Sequence, residues 1–183
     1  MKKYLKLLPL ILYPYPYVLT MFEAPFFLLI EDAPVEVQTA LFLGTVLLFN
    51  LYVIFISIYN AVTTARGDMT AYEAAKMNLV VKGWQVPAYI LHFVMGVGGL
   101  LMSVWGIPFI LYAILIDLFT IILTGINSIG CSIKMKKECN TSLLMGIGCF
   151  IYCVDLAVAI AYVSISKKAQ QQDENVVAQI EAM

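Results

Sequence analysis

Residues 108–129 read PFILYAILIDLFTIILTGINSI, a run whose single charge is Asp117. At about 1.5 Å per residue it is long enough to cross about 30 Å of hydrocarbon as one α-helix. Its apolarity is continuous, whereas a membrane β-strand alternates over about ten residues, so the run reads as helix. Four more runs of this kind lie outward from it, at 7–30, 38–60, 84–104 and 142–165. Of the 11 basic and 12 acidic residues in the chain, only Glu23, Asp117 and Asp155 fall inside the five runs. The whole 183-residue chain is 62% hydrophobic and 13% charged, with a mean hydropathy of +0.89. A soluble domain carries roughly 25% charged residues. The sequence therefore predicts an all-α integral membrane protein: one bundle of about five transmembrane helices over residues 1–168, then a polar C-terminal tail, 169–183. Membrane lipid is the expected surrounding. A net charge of −1 and the lack of any Gly-rich phosphate loop argue against nucleic acid as a partner.

The links between runs add detail. Lys2, Lys3 and Lys6 resemble the start of a signal peptide, but Pro9, Pro14, Pro16 and the missing small-x-small site predict an uncleaved first span. Tyr13-Pro14-Tyr15-Pro16-Tyr17 cannot be regular helix throughout, because each proline lacks an N–H and crowds the carbonyl four residues back. The span should kink there. Glu23 and Pro25 weaken its far end, so the alternative is four spans plus a re-entrant or broken first segment. Thr70-x-x-Glu73 is a capping box and predicts a short interfacial helix that bends near Gly83 and Pro87 into the third span. The link 103–108 is so short that the third and fourth spans form an antiparallel hairpin. Basic residues accumulate on the cytoplasmic side. In a five-span count Lys2, Lys3, Lys6, Arg66, Lys76, Lys82, Lys134, Lys136 and Lys137 share one face, which puts the amino terminus in the cytoplasm and leaves only Lys167 and Lys168 opposite. No internal repeat is evident, so the inverted-repeat argument for a transporter does not apply.

A carboxylate near the centre of a span costs a few kcal/mol, and something must offset it. At helical spacing Asp117 shares a stripe with Thr120, Thr124 and Asn127, which should face protein. Asp155 aligns with Tyr152, Ala159 and Tyr162 on the fifth run, while His92 lies on a stripe with Tyr89, Gly96, Gly99 and Ser103. Counting rise per residue puts Asn50, His92, Asp117 and Asp155 close to the midplane. The functional reading is a polar pocket in which Asp117 and Asp155 bear charge and His92 is the proton partner, with Asn50, Thr120, Asn127 and Tyr152 lining it. In the bland reading the same groups only hydrogen-bond between helices. Cys131, Cys139, Cys149 and Cys153 lack Cys-x-x-Cys spacing and there is one histidine, so structural cysteines, no metal and no cofactor are expected. Lys76, Asn78, Lys82 and Gln85 form a polar edge that suits an anionic lipid head, with membrane anchoring as the preferred reading.

Tyr13-Pro14-Tyr15, the stretches 87–93 and 117–127, and Cys153-Val154-Asp155 resemble those of an uncharacterised family of small bacterial polytopic membrane proteins. The resemblance implies a bacterial inner-membrane address and no particular reaction. Length and span count are also similar to the five-helix tryptophan-rich sensory proteins, whose Trp and Pro motifs are not found here. The expected function is binding or moving a proton, a cation or a small amphipathic ligand. The alternative is a non-catalytic accessory or assembly protein, acting on a protein partner or a second copy. An enzyme is disfavoured, because no nucleophile pairs with His92.

Overall fold

The structure, a computed structural model, describes residues 6–20, 34–151 and 153–181. Every regular element among them is helical: α1 (Leu8–Leu12), α2 (Pro14–Thr20), α3 (Val35–Arg66), α4 (Ala71–Leu101), a 3-10 turn (Ser103–Gly106), α5 (Ile107–Cys139), α6 (Leu144–Gly148) and α7 (Val154–Glu181). Among the described residues, three segments are long and apolar enough to cross a membrane: α3, α4, and α5 with the turn residues just before it.

Helix α4 starts as the capping box requires, with Thr70 Oγ1 accepting the Glu73 N–H at 3.2 Å. It does not stop, however. The short interfacial helix expected before the third span is instead the first part of one continuous 31-residue helix, with Pro87 inside it. A helical glycine such as Gly83 costs only about 1 kcal/mol relative to alanine. That is too little to end a helix whose other backbone groups stay paired by continuing.

The first predicted span breaks at Tyr13, between α1 and α2, as its prolines demand. Its far end, with Glu23 and Pro25, lies outside the described residues. The fifth predicted span, 142–165, is not one helix. After α6, residues 149–151 and 153 leave the helical path, and α7 starts at Val154. Cys153 has φ 64°, a left-handed conformation that no right-handed helix can accommodate. Asn140, with φ 50°, ends α5 in the same way. Helix α7 then runs through most of the predicted polar tail to Glu181.

The chain divides into two compact units, Met1–Ile56 with Gln85–Leu123, and Ser57–Trp84 with Thr124–Met183. In the first unit Tyr13 stacks on Phe49 with ring centroids 5.8 Å apart. Gln85 Nε2 donates to the Leu10 carbonyl at 2.9 Å, the acceptor whose helical donor would have been the N–H that Pro14 lacks. Across the turn between α4 and α5 a Cβ on Gly106 would overlap the Gly99 carbonyl, so the tight hairpin needs glycine there. In the second unit Ala71, Ala74, Ala75, Cys131, Met135, Cys149 and Tyr162 form one buried cluster. A Cβ on Gly130 would overlap the backbone of Ala61, which fixes how closely α3 and α5 approach in this unit. Lys134 donates to the Gly67 carbonyl at 2.9 Å and pairs with Glu138, whose other oxygen accepts the Ala71 N–H at 2.6 Å. That latch ties α5 to the turn between α3 and α4.

Candidate functional site

Helix α5 places the expected polar stripe inward. Thr120, Thr124, Asn127 and Ser128 are all buried, while Ile114, Leu115, Leu118 and Phe119 on the other side are exposed. Asp117 is half-buried at the edge of the stripe. Hydroxyls along it return bonds to their own helix, Thr120 Oγ1 donating to the Ile116 carbonyl at 2.7 Å and Ser132 Oγ to Ser128 at 2.9 Å.

In the first unit α4 brings His92 to Asp117. His92 Nδ1 lies 2.6 Å from Asp117 Oδ1, with the imidazole fully buried and the carboxyl side chain 16% exposed. A carboxylate can only accept, so with Asp117 ionised the proton on Nδ1 points at it. In a neutral ring Nε2 is then a bare acceptor. Nε2 is buried and has no hydrogen-bond partner among the described residues. A base held this way can take up a second proton, with the resulting imidazolium paired to the carboxylate.

Asn50, expected in the same polar layer, has other partners in this unit. It accepts from Tyr13 OH at 2.6 Å and donates to Tyr17 OH at 2.6 Å and to the Val46 carbonyl at 2.7 Å. The two tyrosines stand four positions apart around the prolines, so Asn50 serves to hold the broken first segment.

The second unit holds Asp155. Its Oδ2 pairs with Lys82 Nζ at 2.8 Å, both side chains almost wholly buried. Lys82 also donates to Thr124 Oγ1 at 2.6 Å and to the Cys149 carbonyl at 3.3 Å. Asp155 Oδ1 accepts the Leu156 N–H at 2.8 Å in the first turn of α7, where the helix dipole favours negative charge. A polar ladder adjoins this pair. Ser128 Oγ lies 2.7 Å from Asn78 Oδ1 and 2.8 Å from the Thr124 carbonyl, and Tyr162 OH donates to Ser132 Oγ at 2.9 Å.

The four residues expected to meet at one height thus have separate partners: His92 with Asp117, Asn50 with two tyrosines, and Asp155 with Lys82. Thr120 lies in the first unit and Asn127 in the second, both buried, and Tyr152 lies outside the described residues. Lys82, read from sequence as a loop anchor, is buried instead and carries the second ion pair. The signal for it was spacing: Asn78, Lys82, Gln85, Tyr89 and His92 follow at i, i+4, i+7, i+11 and i+14, one face of one helix once α4 is continuous. Cys131, Cys149 and Cys153 carry free thiols. No group of three His, Cys, Asp or Glu side chains among the described residues could hold a metal ion. No known protein family, curated protein or solved structure matches the chain, so its own geometry carries the functional reading.

Proposed function

We propose that the chain is a multi-pass helical protein of the bacterial inner membrane, with its amino terminus in the cytoplasm, that binds or moves a proton, a small cation or a small amphipathic ligand. The observation that carries this reading is the His92–Asp117 pair, a buried imidazole 2.6 Å from a carboxylate in the most apolar part of α5. Ionisable groups at such positions are costly and mark proton or ion pathways by default. His92 accepts and releases the proton, and Asp117 stabilises the imidazolium. Three segments long and apolar enough to span a membrane support the setting.

The test is proton flux into proteoliposomes under an imposed pH gradient, read with an entrapped dye. The natural protein should exceed empty vesicles. Asp117→Asn and His92→Gln should each cut the rate by about 100-fold, the scale on which a positioned proton-transfer group acts. Rates equal to empty vesicles for the folded natural protein would remove the transport reading.

One set of contacts favours the accessory-protein alternative. The Asn78–Ser128 and Tyr162–Ser132 bonds join helices, which is how polar residues fix packing. An accessory protein should co-purify with a partner and lose it when Glu73 and Lys76, exposed on α4, are replaced by alanine. A self-contained binder should purify alone.

A further inference from the structure

Where α5 ends and the chain turns back into α6, the second unit carries a groove of about 680 Å³, within the size range of small-molecule sites. Its polar lining is Lys136, from the last turn of α5, with Asn140, Thr141 and Ser142 of the link. Its apolar lining is Leu143, Leu144 and Ile147, all exposed. Each of the four polar side chains has a proton to donate. Lys136 brings an ammonium and Asn140 an amide NH2. Ser142 Oγ accepts the Leu144 N–H at 3.2 Å, which leaves its own hydroxyl proton to give. The Thr141 hydroxyl is buried and has no hydrogen-bond partner among the described residues, a costly state unless something supplies one. Among the described residues no acidic side chain lines the groove. Lys134 is already paired with Glu138, so the charge here comes from Lys136. That full positive charge outweighs the roughly half unit of negative charge at the carbonyl end of α5.

We propose that this groove binds an anionic phospholipid, with the phosphate on Lys136, Asn140, Thr141 and Ser142 and the first chain carbons on Leu143, Leu144 and Ile147. The proposal rests on the membrane setting of the reading above and is independent of proton transport. Ile133 is the last exposed apolar residue of α5, and Lys136 follows three residues on, about 4.5 Å along the axis. That step carries it from hydrocarbon into the headgroup layer, where basic pockets hold anionic lipid heads. One ammonium balances the single charge of a phosphate diester. A zwitterionic head brings a cation of its own, which the groove offers no carboxylate to receive. The apolar lining argues for a lipid over a bare phosphate compound, since only acyl carbons gain by covering it. Asn78, Lys82 and Gln85, the edge of α4 that the sequence suggested for such a head, are buried and cannot meet one.

The experiment titrates full-length protein in a nonionic detergent with short-chain phosphatidylglycerol and counts bound lipid by mass spectrometry of the intact complex. One lipid per chain should bind saturably, about tenfold or more tighter than phosphatidylcholine with the same chains. Lys136→Gln should weaken it about 10-fold, as for a lost charge-assisted hydrogen bond. Thr141→Val with Ser142→Ala should weaken it about 3–10-fold. Lys137→Gln, one residue along and outside the groove, should leave affinity within about twofold. Both lysines are exposed, so neither change threatens folding. Equal losses at Lys136 and Lys137 would mean diffuse attraction to a basic surface and overturn the site. Equal binding of the two lipids overturns it as well. Glycerol phosphate that displaces the lipid at matching concentration would make the ligand a soluble phosphate compound and overturn the lipid assignment. Flux is no part of this readout. A protein that passes no protons in vesicles but binds phosphatidylglycerol through Lys136 loses the transport reading and keeps the site, whereas one that passes protons and binds both lipids alike does the reverse.

Discussion

Lys82 and Asp155 form a pair whose stability cost depends on which partner is removed. Taking both charges out of water is expensive, and their attraction repays it only because the remaining donors and acceptors are met by Thr124, Cys149 and Leu156. Asp155→Asn leaves a buried ammonium without its counter-charge and should destabilise the protein by about 3–5 kcal/mol. The double change Lys82→Met with Asp155→Leu removes the charges together, so most of that loss should return; unfolding followed by circular dichroism in detergent compares the two. Equal destabilisation by the single and double changes would mean the pair contributes little beyond packing. His92 and Asp117 behave differently. An asparagine at 117 still offers an oxygen to the Nδ1 proton, and the site is partly exposed. Its cost should be only about 1 kcal/mol, so a loss of proton flux in that variant cannot be ascribed to unfolding.

At the scale of single elements, proline and its replacement donor make a self-contained argument. Pro14 deprives the Leu10 carbonyl of its helical N–H, and Gln85 supplies the hydrogen bond from α4. Gln85→Leu should therefore cost about 1–3 kcal/mol, the penalty for a buried acceptor left unpaired. In a Pro14→Ala background the helix can furnish its own N–H, so the same change should cost less. A double-mutant cycle on the unfolding midpoint measures the difference, and strict additivity would refute the substitution of one donor for the other. The same elements show what a reader of the sequence can and cannot reach. The long apolar helices, the cap at Thr70, the break at Tyr13 and the inward stripe of α5 all follow from local pattern, because period, capping chemistry and proline act over a few residues. The pairings do not. Asp117 and His92 stand out as polar residues in apolar runs, but Lys82 is hidden, because it lies outside the apolar run that starts at residue 84 and a charge there reads as the end of a span. Only a helix running unbroken from Ala71 puts Lys82 on the face of Asn78 and His92. The interruption after α6 is equally invisible, since Cys149, Phe150 and Ile151 are all compatible with helix and nothing in their type announces the left-handed turn at Cys153.

For the molecule as a whole, the surface rather than the interior decides what surrounds it. The most apolar stretch of α3 is only 11% buried, against 39% for that of α5, so α3 presents large apolar side chains to the outside over most of its circumference. Leu47, Leu48, Leu51 and Phe55 are each more than half exposed. Exposed apolar patches beyond a few hundred Å² are rare on soluble monomers, and this surface is in keeping with acyl chains as its solvent. The claim can be checked with one substitution whose sign depends on the solvent. Leu48 is 69% exposed and lies near the middle of the 32-residue α3. If water surrounds it, Leu48→Arg removes an exposed apolar group and should leave stability within about 0.5 kcal/mol of the natural protein. If hydrocarbon surrounds it, the arginine sits near the helix centre in lipid, where insertion costs about 2.5–3.5 kcal/mol per charged residue. Membrane-inserted yield after an alkaline wash of expressing cells reads the outcome. A large drop for Leu48→Arg, alongside unchanged yield for Leu48→Ala, is expected of a membrane helix. Equal yields for both would place α3 in water and take the setting of the His92–Asp117 pair with it.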